Sequence, residues 1–170
     1  MNKEFLEDIS KLELVIFDFD GVFTNNKVLI SELGVETVIC SRGDGMGINR
    51  LSSIGMKMCV ISTEENIVVK KRCEKLKIPC KQNIKDKENA VLETCKEYNV
   101  LPKNTLFLGN DINDIPAFKC VGIPVAVADA YEEVIPYTKY QTKKNGGDGA
   151  IREICDIIFQ KKININQIHN

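Results

Sequence analysis

Four short apolar runs, separated by stretches of helical length, constrain the fold of this chain more than any other feature. Residues 12–19 (LELVIFDF), 56–62 (MKMCVIS), 105–109 (TLFLG) and 123–128 (IPVAVA) are rich in β-branched or aliphatic side chains and too short for helices, so they predict buried strands. The stretches between them predict helices over 44–54, 65–77, 86–98 and 148–159. Asp86 is suited to cap the third of these, and Gly146-Gly147 precede the last. Strands that alternate with helices pair in parallel, because each crossover lays a helix over one face of the sheet. The expected fold class is therefore α/β, a three-layer, doubly wound parallel sheet.

One stretch interrupts this rhythm. Residues 26–41 (NKVLISELGVETVICS) read as two short strands around Glu32-Leu33-Gly34, a β-hairpin inserted between the first strand and the first helix. Without repeats, low-complexity segments or linkers, residues 1–170 are read as one domain. The polar tail 160–170 is expected to be disordered or used in assembly.

Composition excludes several classes of function. A formal net charge of −1 with scattered basic residues lacks the basic footprint of a nucleic-acid binder. No apolar run approaches the ~18 residues of a membrane span, and the N-terminus MNKEFLEDIS has no apolar core of a secretory signal, so a cytoplasmic protein is expected. The seven cysteines are odd in number and form no C-x-x-C pair, which reads as reduced, packed thiols. The one histidine, His169, is next to last and reads as a tail residue, which removes support from mechanisms that need a catalytic histidine.

In an open α/β sheet, function gathers at the carboxyl ends of the strands. The first strand ends in Asp18-Phe19-Asp20-Gly21 and the second in Ser62-Thr63-Glu64. Lys87 starts a helix, and the strand at 105–108 runs into Gly109-Asn110-Asp111, followed by Asn113-Asp114. Carboxylates, hydroxyls and an ammonium thus reach one edge, the outline of a site for a cation and a phosphate. A carboxylate such as Asp18 can attack phosphorus, provided a cation offsets the repulsion between two anions. Mg²⁺ takes oxygen ligands, which Asp18, Asp20 and either Asn110 or Asp111 can supply. Asp20 can turn to the same edge, protonate the leaving oxygen and later activate water. Ser62 and Thr63 can donate to phosphoryl oxygens, Lys87 can neutralise charge, and Asp114 can support the group. Taken singly, each piece has a plainer reading as a turn, a cap or a surface residue. The calcium-loop reading of D-x-D-G fails, because Val22 and Phe23 stand where an EF-hand wants a polar ligand and glycine.

With DFDGVFT at 18–24, Ser62, Lys87 and GNDIND at 109–114, the chain resembles the haloacid dehalogenase superfamily of phosphohydrolases over about residues 12–159. It is most similar to the subfamily that dephosphorylates 2-keto-3-deoxy sugar acids, with SRGDGMGI (41–48), VAVADA (125–130) and NGGDGAIREICD (145–156) as supporting segments. The resemblance implies a Rossmann-like domain without a cap, a Mg²⁺ cofactor, and a homotetramer in which the hairpin of one subunit closes the site of another. It also implies a phosphorylated sugar acid as substrate, with no nucleic-acid or membrane partner. The chain departs from the pattern at Asn110, where the subfamily usually has a metal-binding Asp, and at Asn25, often Asp. It also departs at Thr63-Glu64, where the eight-carbon (octulosonate) phosphatases usually carry Gly-Arg. Glu64 resembles the nonulosonate (sialic-acid-type) 9-phosphate phosphatases instead.

Three functional readings follow: a nonulosonate 9-phosphate phosphatase first, an octulosonate 8-phosphate phosphatase second, and a non-catalytic assembly domain like that of CMP-sialic acid synthetases third. Glu64, two residues past Ser62, is expected near the mouth, where it can accept hydrogen bonds from sugar hydroxyls. Its plainer reading is a helix-start acid favoured by the helix dipole. The substrate carboxylate then needs a cation, for which Arg42, Arg72 and Lys75 are the candidates.

Overall fold

The computed structural model describes residues 3–168; His169 lies outside the described residues. In chain order the elements are α1 (Lys3–Lys11), β1 (Leu14–Phe17), β2 (Leu29–Ile30), β3 (Glu36–Thr37), α2 (Arg42–Ser53), β4 (Lys57–Ile61) and α3 (Ile67–Leu76). They continue with β5 (Cys80–Lys81), α4 (Lys87–Glu97), β6 (Thr105–Gly109), α5 (Ile115–Cys120), β7 (Ile123–Ala126), β8 (Tyr140–Gln141) and α6 (Ala150–Ile168).

Six strands form one sheet in the order β5-β4-β1-β6-β7-β8, and every neighbouring pair is parallel. Side chains of a strand point alternately to the two faces, and β1 shows both faces covered. Val15 and Phe17 join a core with Phe5 and Ile9 of α1, Ile48 and Leu51 of α2, Val69 of α3 and Ile151 and Ile154 of α6. Leu14 and Ile16 join a second core with Ala90, Val91 and Cys95 of α4 and Phe118 of α5. The expected three-layer α/β fold is thus present.

The order of the strands fixes the place of the site. From β1 the chain winds outward through β4 to β5, then returns beside β1 at β6 and winds the other way through β7 to β8. Adjacent crossovers leave β1 and β6 on opposite faces, which opens a crevice at the carboxyl ends of these two strands.

Local chemistry sets the element boundaries. Ser41, Asn66 and Asp86 cap α2, α3 and α4 by accepting from the backbone N–H of Gly43, Val68 and Asn89. α2 therefore begins two residues before the expected 44. The hairpin lies within 26–41 as expected, with Leu29 facing Thr37 and Ile30 facing Glu36 across an antiparallel ladder. Its turn is closed by Gly34 N–H donating to the Ser31 carbonyl at 2.9 Å, and Gly34 takes the left-handed conformation at φ 74°. Of the two expectations for the C-terminal tail, disorder is corrected over 160–168. Residues 160–168 continue α6 as helix, because no Gly or Pro stop signal stands at 160. α1, β5, α5 and β8 were not expected. Among the described residues no helix is long and apolar enough to cross a membrane, and all seven cysteines are free thiols.

Candidate active site

Asp18 is the first residue beyond β1, and its backbone N–H donates to the Leu108 carbonyl of β6 at 2.9 Å. The sheet ladder thus continues one residue past the end of β1 and holds Asp18 at the crevice. The carboxylate is buried, with 4% of the residue exposed. Lys87, the first residue of α4, reaches it at 2.9 Å from Oδ1 and reaches Asp114 Oδ1 at 2.5 Å. A cation at the start of a helix opposes the macrodipole, so the placement of Lys87 answers to these two carboxylates rather than to its own helix.

The charges set the protonation behaviour. Burial, followed by the negative Asp114, raises the Asp18 carboxyl to about 7 against the pull of Lys87. Burial works to lower the Lys87 ammonium, but the Asp18 and Asp114 carboxylates outweigh it and the net shift is upward, so this lysine stays charged. Asp114 also ties down the next loop. Its Oδ2 accepts from the backbone N–H of Asn110 at 2.8 Å and of Asp111 at 3.2 Å.

Asp20 is half-buried on the loop after β1. Burial and then the Glu64 carboxylate raise its pKa, Lys87 lowers it and Glu36 of the hairpin raises it, while the Thr24 hydroxyl donates to it. The loop turns at Gly21, in the left-handed conformation at φ 74°. A Cβ there would lie 2.1 Å from Asn110 Nδ2, so glycine lets the Asn110 side chain come over the loop. On β4's end, Ser62 is buried and its Oγ accepts from the Glu64 N–H at 3.1 Å, which leaves its own O–H to donate.

Asn110 and Asp111 differ sharply. Asn110 is buried, and its Oδ1 has no hydrogen-bond partner. A buried orphan acceptor is costly, and an oxygen of this kind next to the Asp18 strand fits a hard divalent cation such as Mg²⁺. Asp111 instead turns its carboxylate back to accept from the Ile112 N–H at 2.7 Å and caps the short 3-10 turn Ile112–Asp114.

The remaining candidates lie outside the buried Asp18–Lys87–Asp114 cluster. Thr63 is exposed. Glu64 Oε1 accepts from the N–H groups of Glu65 and Asn66 at 2.9 and 2.8 Å, the plainer helix-start role, while its charge still reaches Asp20. Arg42, Arg72 and Lys75 line one cavity between α2 and α3. Arg72 donates from Nη2 to the Ser41 carbonyl at 2.8 Å, and its buried Nε has no partner. Asp44, Asp129 and the Gly146-Gly147 turn were not singled out as site residues. The only signal for them lay in the three supporting segments that contain them.

A parallel sheet whose switch point presents two carboxylates, a buried lysine and an unpartnered amide oxygen has the groups to hold a divalent cation and a phosphate. The model of the haloacid dehalogenase-like hydrolase family matches residues 60–154. The chain is 32% identical over 149 residues to the 3-deoxy-D-manno-octulosonate 8-phosphate phosphatase KdsC of Escherichia coli K12, covering 87% of this chain and 79% of the relative. It superimposes on the 3-deoxy-D-manno-octulosonate 8-phosphate phosphatase of Yersinia pestis with a TM-score of 0.93 at 28% identity, over 98% of this chain and 90% of that one. The enzyme of that name from Moraxella catarrhalis, solved with a magnesium ion, a phosphate ion and a KDO molecule, gives a TM-score of 0.92 at 25% identity, over 99% and 97% of the two chains. The chain belongs to the haloacid dehalogenase-like hydrolases.

Proposed function

We propose that the protein is a Mg²⁺-dependent phosphatase of a 2-keto-3-deoxy sugar acid, acting through an aspartyl-phosphate on Asp18. The observation that carries this reading is the buried Asp18–Lys87–Asp114 cluster beside the unpartnered amide oxygen of Asn110. Lys87 holds Oδ1 of Asp18 and leaves Oδ2 to attack phosphorus. As the P–O bond to the sugar breaks, the departing oxygen takes a proton from Asp20, whose raised pKa keeps that proton available. Asp20 then accepts a proton from water, which attacks phosphorus and frees Asp18 and inorganic phosphate. Ser62 and Thr63 donate to the phosphoryl oxygens, and Lys87 offsets their charge. Asp18, Asp20 and Asn110 would hold Mg²⁺, which would offset the repulsion between the attacking carboxylate and the phosphate, with Asp111 left as a cap.

For the sugar we favour a nonulosonate 9-phosphate, because the Glu64 charge acts on Asp20 and the cavity of Arg42, Arg72 and Lys75 offers cations to a substrate carboxylate. The second reading is the eight-carbon 3-deoxy-D-manno-octulosonate 8-phosphate, which the names of the relatives favour. The third, a non-catalytic assembly domain, loses its support to the intact cluster. The free thiols fit a reducing, cytoplasmic setting. Phosphate release with Mg²⁺ from the nine-carbon and eight-carbon substrates in parallel tests the reading, with Glu64→Arg as the informative variant. A shift of kcat/KM toward the eight-carbon substrate supports Glu64 as the discriminator; unchanged discrimination returns it to a helix-start role.

A further inference from the structure

Arg42 apart, the segments 41–48, 125–130 and 145–156 supply no group to the function proposed above, yet they meet behind the loop that carries Asp20. In the turn before α6, Gly147 N–H donates to the Val22 carbonyl at 2.9 Å. A Cβ on Gly146 would lie 1.7 Å from the Gly21 carbonyl oxygen, and one on Gly147, itself left-handed at φ 69°, would lie 2.5 Å from the Asn25 nitrogen. The turn therefore rests directly on the backbone of the D-x-D-G loop. It is tethered on two sides. Asp129, on the loop after β7, accepts from Gly146 N–H at 2.8 Å, and two residues along the same loop Tyr131 N–H donates to the Asn110 carbonyl at 2.9 Å. On the other side, buried Asp44 of α2 accepts from Arg152 N–H in the first turn of α6 at 3.1 Å. Gly47 lets the two helices close up there, since a Cβ on it would lie 2.9 Å from Cys155 Cβ.

We propose that Asp129 is a positioning residue. By fixing Gly146 it clamps the Gly146-Gly147 turn against the carbonyls of Gly21 and Val22, and so sets where Asp20 stands. The inference rests on the proposed role of Asp20 as the acid. A shift of about 1 Å in a catalytic group costs about a hundredfold in rate.

Gly146→Ala would press on the loop but also endangers folding, so Asp129, which is exposed, provides the cleaner test. Asp129→Ala and Asp129→Asn are compared with wild type and Asp20→Asn. The substrates are p-nitrophenyl phosphate, whose leaving group needs no proton, and whichever of the two sugar-acid phosphates is turned over faster. Asp129→Ala should lower kcat on the sugar phosphate by about tenfold or more, with KM within about twofold and the aryl phosphate affected less than about threefold. Asp129→Asn, which keeps an oxygen acceptor, should restore most of that loss. Hydrogen exchange at residues 19–25 should quicken in Asp129→Ala and recover in Asp129→Asn. Equal losses on both substrates in Asp129→Ala, alongside the expected selective loss in Asp20→Asn, overturn the positioning role. A non-selective Asp20→Asn instead overturns the reading of Asp20, and the exchange data alone then decide the clamp: unchanged exchange at 19–25 overturns it.

Discussion

Lys87 and Asp114 are paired at 2.5 Å with neither side chain more than 1% exposed. Asp114 does three things with one carboxylate: it charges against Lys87 and accepts from the N–H groups of Asn110 and Asp111. Asp114→Ala strips a buried ammonium of one partner and orphans two backbone donors. Breaking such a pair costs about 3–5 kcal/mol, so urea unfolding of the variant should show a loss of that order. A loss below about 1 kcal/mol would mean that the cluster relaxes and is not the rigid support described.

Asp18→Asn should abolish turnover, since an amide is a poor nucleophile toward phosphorus. Asp20→Asn should bind phosphate but turn over about 10²–10⁴-fold more slowly. Single-turnover phosphate release checks both, and near-wild-type activity in Asp18→Asn would remove the covalent route.

Activity should vanish with a chelator and return with Mg²⁺. Asn110→Asp should keep or tighten Mg²⁺ binding, because it places a charged oxygen where an unpartnered amide oxygen now lies. Calorimetric titration reads the affinity directly. Weaker binding in this variant would move the ligand role to Asp111.

Asp44 supplies a pH dependence away from the chemistry. Burial raises its carboxyl from 3.8 to about 6, against the lowering effect of the Arg152 N–H. The folded state therefore holds this proton to higher pH than the unfolded state. Its contribution is most favourable below about pH 4 and is lost as pH rises through 6, by at most about 3 kcal/mol at about 1.4 kcal/mol per unit. Stability measured from pH 4.5 to 7.5 should fall relative to Asp44→Asn across that window. Parallel curves for the two proteins would contradict the shift.

The hairpin carries Val28, Leu29, Ile30, Leu33, Val35 and Ile39 exposed, an apolar load unusual for a free loop. The same hairpin also touches its own chain, where Asn66 Nδ2 donates to Glu36 Oε2 at 3.0 Å. We expect a tetramer by sedimentation and dissociation in Ile30→Lys with Leu33→Lys. A monomer with full activity would defeat the assembly reading and leave the hairpin closing its own site.

The strands that form the site were legible because each is a dense apolar run ending in a polar cluster, as LVIF ends in Asp18. β5 and β8, two residues each, are too short to show any period. α1 was missed although Phe5 and Ile9 stand four apart, because one buried pair beside Leu6 and six polar neighbours is a faint stripe. The choice between Asn110 and Asp111 was not legible: both are oxygen donors in sequence, and only the fold shows one carboxylate turned into a cap. Asp129 and the Gly146-Gly147 turn were invisible as site residues for a different reason. The turn meets the backbone of a loop more than a hundred residues away in the chain, Asp129 meets the turn, and no local pattern encodes that distance.

The sheet places Asp18 at the end of a strand with parallel neighbours on both sides and a core on both faces, while Glu64 precedes α3, Arg42 opens α2 and the hairpin is largely exposed. Heritable change is therefore unequally tolerated across the site. Substitutions in these exposed segments cost folding little, whereas substitutions at the strand end must satisfy two cores and a buried ion pair at once. A lineage built on this plan can acquire new substrates while its reaction stays fixed.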